Sequence, residues 1–445
     1  MATPDPAWLA ELSEWLRIPS LSADPAHDED VRRAGQWIVD FVRAAGGDCE
    51  LVDFGGRPLA IGELRASTNP EDAPTVMVYG HFDVQPPEPL DLWETSPFEP
   101  EIRGEWLFGR GVADDKGQLY MLLKGAALLA GENRLPVNVR FACDGEEEIG
   151  GHSIVDWLDQ DERGADACVI FDTQMPARGR PAFYVATRGL CYFHVKVRAG
   201  ERDLHSGTYG GAALNGMHAL MHALSGVTPR DGRVPEPLRI GLVPPADEEL
   251  ADWSSQMPGV QELADQGARP ADAAAADEFY VRTWAEPSVD VHGLAGGSPH
   301  LQKTVIPVVG EANVSIRLAA GQQPDEIGPV FERLLREAAP EGADVEVEML
   351  SSSRPGLVPP DSPAIRLGQD AFERTVGERP LLLRAGGSLP IVAALADRAI
   401  PAIVTGFNLP DGNIHSPNER MLVEYLPLGV ATAQELFTAL AGLRA

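Results

Sequence analysis

Residues 144 to 151 read DGEEEIGG, an aspartate and three consecutive glutamates closed by two glycines. The run before them, VNVRFAC from Val137 to Cys143, reads as a strand heading into a core. Like charges this close repel, and burial sharpens the repulsion. Such a knot is either solvated or neutralised by a cation. Two other strand-like runs end in similar residues: VMVYGHFD at His81-Phe82-Asp83, and CVIFD at Asp172. GRGVADDKGQLY holds Asp114 and Asp115 in a glycine-bounded loop just before a helix, and PDGNIHSPNE holds His415 among turn residues. Each alone is ordinary. A histidine at a strand end is usually packed, an Asp-Asp pair is usually a turn, and a glutamate run is usually a solvated helix start. Together they form a hard-to-borderline ligand set that suits Zn²⁺, Mn²⁺ or Co²⁺, and a dinuclear cation site would neutralise the knot.

These residues need a scaffold that gathers them. In an open α/β sheet, sites form beyond the carboxyl ends of the strands. The N-terminal part of the chain fits that plan. Trp8, Leu12, Trp15 and Leu16 repeat at helical spacing, and a second helix is expected from about Asp28 to Ala45. Strands follow in CELVDF, LAIGEL and TVMVYG, then a helix in QLYMLLKGAALLAG, then VNVRFAC, SIVDWLDQ and ACVIFD. Near-continuous apolar strands alternating with helices predict an α/β fold with a mostly parallel sheet flanked by helices.

The texture changes after about Ala186. LCYFHVKV and EANVSIRL read as strands, ALNGMHALMHALSGV and PDEIGPVFERLLREAA as helices, and ADVEVEML as a further strand. That pattern predicts an inserted α+β, ferredoxin-like domain. Residues 226–300, rich in Pro, Gly, Ala and Asp, give no clear order. From about Pro363 the first texture returns. The expected division is a discontinuous catalytic domain, 1–186 with 351–445, around an inserted domain, 187–350.

The chain has 445 residues and a net charge of −31, which argues against nucleic acid and anionic membranes as partners. No run reads as a membrane span, and the N-terminus lacks the basic-then-apolar pattern of a signal peptide. The four cysteines, Cys49, Cys143, Cys168 and Cys191, form no CxxC pair and read as buried thiols in a reducing, cytoplasmic setting.

HxD, GRGxxDDKG, a Glu-Glu pair before Ile-Gly, a strand-end Asp and a late His together resemble the M20 metallopeptidase family, across nearly the whole chain. YGHFDVQPP, RDLHSGTYGG, KTVIP, VSIRL and RAGGSLPIV are similar to its dipeptidase branch, the cytosolic nonspecific dipeptidase and carnosinase type. The resemblance implies two divalent ions per subunit, Zn²⁺ first and Mn²⁺ or Co²⁺ as alternatives. His81, Asp114 and Asp172 would hold one ion, and Asp114, Glu148 and His415 the other, with Asp114 shared. A cis peptide is implied after Asp114. Asp83 would orient the His81 imidazole. Glu147 would be the general base, passing the proton of a metal-bridging water to the leaving amine. Glu146 is left as a solvated loop residue and Asp115 as a variable position.

The resemblance further implies that the inserted domain is a lid and a dimer interface. His205 would reach the partner subunit's active site as an oxyanion donor, so a homodimer is expected. Arg317, Thr304, Gly387 and Ser388 would hold the substrate's free carboxylate. The implied reaction is hydrolysis of a dipeptide or short peptide. N-acyl-amino-acid deacylation or desuccinylation is the alternative within the family. A binding protein that had lost this chemistry would lack ligands or base, and here every motif position is filled.

Overall fold

The computed structural model describes residues 4–387 and 389–444; Ser388 lies outside the described residues. The chain divides into two compact units. The first takes in Met1–Val185, Val358–Leu383 and Ala394–Ala445, the second Ala186–Leu357 and Arg384–Ala393.

The first unit is built on a six-stranded sheet in the spatial order Asp48–Val52, Leu59–Leu64, Asn138–Asp144, Thr75–His81, Ala167–Phe171, Ala402–Thr405. Strand Thr75–His81 runs parallel to both its neighbours, with His81 level with Asp144. Ala402–Thr405 is parallel to Ala167–Phe171. Every residue of Asn138–Asp144 and Ala167–Phe171 is buried, as two-sided coverage requires. The parallel strands therefore end on one edge, and that edge carries His81, Asp144 and Asp172.

Four consecutive strands of the sheet are parallel, as expected, and an antiparallel addition at one edge makes it mixed. Asp48–Val52 and Leu59–Leu64 pair antiparallel, and Leu59–Leu64 pairs antiparallel to Asn138–Asp144. The first pair is joined by a short turn through Gly55, whose φ of 95° suits glycine, and a short connection can only make an antiparallel pair. A small three-stranded sheet, unforeseen from periodicity, joins Glu101–Arg103, Trp106–Phe108 and Arg420–Leu422.

Helix boundaries follow local chemistry. In Pro363–Val376, the Ser362 hydroxyl accepts the Ile365 N–H at 3.3 Å, proline opens the first turn, and Gly377 closes the helix at φ 90°. Lys116 is fully buried, and its ammonium donates to the Ile18 carbonyl at 2.8 Å, tying the chain after the first helix to the loop before Lys116–Gly131. Among the described residues one segment, Tyr425–Arg444, is long and apolar enough by length and composition to cross a membrane, although it holds no continuous apolar run. Leu426, Val430, Ala433, Leu436 and Phe437 on it are buried, and it packs on helices Lys116–Gly131 and Pro363–Val376. It is a core helix of this unit.

The second unit holds a four-stranded antiparallel sheet ordered Ser288–Ala295, Val309–Leu318, Gly189–Arg198, Asp344–Ser353. Gly189–Arg198 alternates buried and half-buried residues, the mark of a one-sided sheet. Helices Gly216–Leu224 and Pro324–Ala338 cover its buried face, where Phe193 stacks on Phe331 at 4.4 Å. Residues 226–300, unordered in the sequence reading, form short helices, Asp247–Ser254 and Gly259–Asp265 among them, before strand Ser288–Ala295.

An ion pair anchors this region. Arg384 and Glu249 are each 1% exposed, and the guanidinium donates to both carboxylate oxygens, at 2.7 and 3.2 Å. Removing one member of such a pair strands the other charge. Arg384→Met is expected to lower stability by about 3–5 kcal/mol. Urea unfolding followed by tryptophan fluorescence reads this directly, because the guanidinium lies 5.6 Å from the Trp253 ring. An unchanged midpoint would mean that the pair is not formed.

Candidate metal centre

His81 ends the central strand, fully buried. Its Nδ1–H donates to the Asp83 carbonyl at 3.0 Å, leaving the Nε2 lone pair free. Nε2 lies 2.9 Å from one oxygen of Asp114 and 3.7 Å from Asp172. The other oxygen of Asp114 lies 3.0 Å from Nε2 of His415, which is 3.1 Å from Glu148. One carboxylate thus serves two imidazoles, one oxygen each, and a second carboxylate completes each half. In both groups, His81–Asp114–Asp172 and Asp114–Glu148–His415, the donor atoms lie within 4.8 Å of one another. A zinc ion holds nitrogen and oxygen donors at about 2.0–2.2 Å, so this spacing fits one ion in each half.

Electrostatics points the same way. Burial disfavours a charged His81, yet the carboxylates of Asp114, Asp172 and Asp83 outweigh it and raise its pKa well above the ordinary value. Asp114 and Glu148 raise His415 to about 10. The fields that favour a proton on each Nε2 favour a cation in the same place. Burial raises Asp172 to about 6, opposed by His81. Asp114 is lowered: its two histidines outweigh its burial.

The three glutamates have three environments. Contrary to expectation, Glu146 is not a solvated loop residue; it is 5% exposed. Its oxygens accept the Arg57 N–H at 2.7 Å and the Ser153 N–H at 2.9 Å. A carboxylate survives burial when backbone donors satisfy it. Glu147 is partly buried and lies among the cluster's charges. Burial raises its pKa to about 8, His81 opposes, and Asp172, Glu148 and Asp114 add to the rise. Glu148 receives the Gln85 amide at 2.9 Å. The turn Glu147–Ile149 is closed by Gly150 at φ 65°, a conformation that glycine adopts without strain.

Asp83 is fully buried, and its carboxylate accepts the N–H groups of Glu147 and Glu148 at 3.2 and 3.1 Å. It orients His81 chiefly through its carbonyl, its carboxylate standing 3.4 Å from Nδ1. Asp115 is more than a variable position. One of its oxygens accepts the His81 N–H at 3.1 Å, and the other has no hydrogen-bond partner. Burial, then Asp172, raise its pKa well above the carboxylate range. The Asp114–Asp115 peptide is cis. His415 has φ 57°, in the left-handed region that few non-glycine residues adopt.

Sequence reasoning passed over Glu419, fully buried four residues after His415, whose carboxylate takes the Asp114 N–H at 3.0 Å. Its proximity to His415 in the same turn-rich segment was the available signal.

The remaining expected residues belong to the second unit. His205 is exposed, and its Nδ1 accepts the Gly207 N–H at 3.0 Å, so a neutral ring carries its proton on Nε2. The Thr304 carbonyl accepts the Ser206 N–H at 3.0 Å. Arg317 lies on strand Val309–Leu318, and the Gly387 carbonyl accepts the Arg188 N–H at 2.9 Å.

Comparison with known proteins adds the following. The profile described as Peptidase family M20/M25/M40 matches residues 77–439. The cysteinylglycine-S-conjugate dipeptidase of Corynebacterium striatum is 28% identical, over 96% of this chain and 94% of its own. The Beta-Ala-His dipeptidase of Rattus norvegicus is 26% identical, over 92% of this chain and 88% of its own. The crystal structure of the M20 family metallo-carboxypeptidase Sso-CP2 from Sulfolobus solfataricus shares the fold, with a TM-score of 0.81 at 22% identity, covering 98% of this chain and 100% of that one.

Proposed function

This chain belongs to peptidase family M20/M25/M40, and from that premise we propose that it hydrolyses dipeptides and other short peptides with a free C-terminal carboxylate. The observation that carries the reading is Asp114, whose two oxygens face two histidines, each beside a further carboxylate. Relatives that span nearly the whole chain are dipeptidases, so the deacylase alternative is not favoured.

His81, Asp114 and Asp172 would hold one divalent ion, and Asp114, Glu148 and His415 the second, with Zn²⁺ the first choice and Mn²⁺ or Co²⁺ compatible with the same donors. Bound there, two ions supply Lewis acidity, lowering the pKa of water and polarising the scissile carbonyl. The protein's own groups do the rest. Glu147, with a pKa raised to about 8, accepts the proton of the attacking water and delivers it to the leaving amine. Asp83 fixes the His81 tautomer through its carbonyl and braces the Glu147–Glu148 turn through its carboxylate. The partner subunit's His205 donates its Nε2–H to the developing oxyanion. Arg317, with Thr304, Gly387 and Ser388, holds the substrate carboxylate, the natural mate of a guanidinium.

In this reading the second unit is the lid and the dimerisation domain of a homodimer. The edge strands of its sheet expose Leu294 and Leu350, 55% and 53% accessible, which suits a partner. Four free buried cysteines suit the cytoplasm.

The test is to strip the protein with a chelator, reload Zn²⁺ or Mn²⁺, and assay dipeptides beside matched N-acetyl amino acids and tripeptides. Rapid, metal-dependent cleavage of dipeptides is expected. Cleavage confined to the N-acetyl amino acids would overturn the dipeptidase reading and leave the ligand assignment standing.

A further inference from the structure

We propose that Glu419 is a positioning residue for the metal centre: it fixes the loop that presents Asp114 and locks that loop to the segment carrying His415. The proposal rests on the reading of Asp114 as the shared ligand. Glu419 is fully buried and receives four hydrogen bonds. One oxygen accepts the N–H groups of Ala113 and Asp114, at 2.8 and 3.0 Å. The other accepts the Gly111 N–H at 3.0 Å and the Arg110 guanidinium at 2.7 Å. The Glu419 carbonyl accepts the Gly109 N–H at 3.0 Å. Strand Arg420–Leu422 then pairs antiparallel with Trp106–Phe108. Segment 109–114 thus wraps one side chain that comes from 305 residues away.

The chemistry asks for a carboxylate. A carboxylate offers about four acceptor sites and no donor, and here donors meet all four. A glutamine would turn an NH₂ group toward two of those donors, losing their bonds and adding a donor–donor clash. The donor of most consequence is the N–H of Asp114, because it belongs to the residue whose two oxygens define both halves of the cluster. His415 lies four residues before Glu419, so one short segment carries a ligand of one half and the clamp on the ligand of both.

A purely structural role is separable by experiment. Zn²⁺ affinity would be measured by competition with a chromogenic chelator, and stability by thermal unfolding of the metal-free protein. E419Q is expected to weaken Zn²⁺ binding about ten- to a hundredfold, the range for residues that orient metal ligands. E419D keeps the charge that Arg110 requires but is one methylene short, so it should fold and shift affinity in the same direction. R110M removes the other buried partner while leaving the carboxylate on the N–H groups of Ala113 and Asp114, so it should lower the melting temperature and keep wild-type Zn²⁺ affinity. Wild-type affinity in E419Q and E419D would overturn the proposal alone. So would affinity losses that track melting temperature across all three variants. A wild-type protein that binds no Zn²⁺ would overturn the metal-centre reading and this proposal with it.

Discussion

Glu147→Gln is expected to lower kcat by about 10²–10⁴-fold, the usual contribution of a positioned acid–base group, and to leave the binding of both metal ions intact. Glutamine keeps the size and shape of the side chain but cannot take up a proton. The backbone N–H of residue 147, which donates to Asp83 at 3.2 Å, is untouched, so the turn presenting Glu148 should hold. KM should change little, because in the proposed role the carboxylate moves a proton rather than binds substrate. The neighbours supply controls. Glu146→Gln removes an acceptor of the Arg57 and Ser153 N–H groups, so it should cost stability and spare the metals. Glu148→Gln should weaken one ion. Three adjacent glutamates would then give three phenotypes, read by steady-state kinetics, metal content and melting temperature. Unchanged hydrolysis by Glu147→Gln would falsify its assignment as the base.

The strand-end candidate ligands were legible in the sequence for a physical reason. Parallel strands buried on both faces are apolar runs, so a His or Asp that ends one stands out and must sit on the common carboxyl edge. His81 and Asp172 are such residues. What periodicity could not show is satisfaction of buried charge by remote donors. Glu146 looked solvated because one of the donors that satisfy it, the Arg57 N–H, comes from 89 residues away, and the other, the Ser153 N–H, reaches it only once the chain has turned through Gly150. Glu419 drew no notice because its donors lie in 109–114, about 305 residues away. The short helices of residues 226–300 are set by pairs such as Glu249 with Arg384, 135 residues apart, which no local pattern encodes. The antiparallel pairing of Asp48–Val52 with Leu59–Leu64 depends on the length and geometry of one turn, a weaker signal than the apolar runs it joins.

Asp114→Asn should act on both halves of the centre at once. The isosteric amide keeps one oxygen and replaces the other with an NH₂ that cannot ligate a cation. Since the two carboxylate oxygens lie 2.9 Å from His81 and 3.0 Å from His415, whichever way the amide turns, one half loses a ligand and both lose a negative charge. Tightly bound zinc should fall from two ions per chain to at most one. Losing several kcal/mol of metal-derived stabilisation corresponds to a fall in kcat/KM of roughly 10³-fold or more. His81→Ala and His415→Ala supply the comparison, because each removes a ligand from one half only. A shared ligand predicts that Asp114→Asn weakens both zinc sites in a chelator titration, where each histidine variant weakens one. If instead Asp114→Asn binds two ions as tightly as the wild type, the carboxylate between the two imidazoles is a packing contact, and the ligand set loses the member that joins its halves.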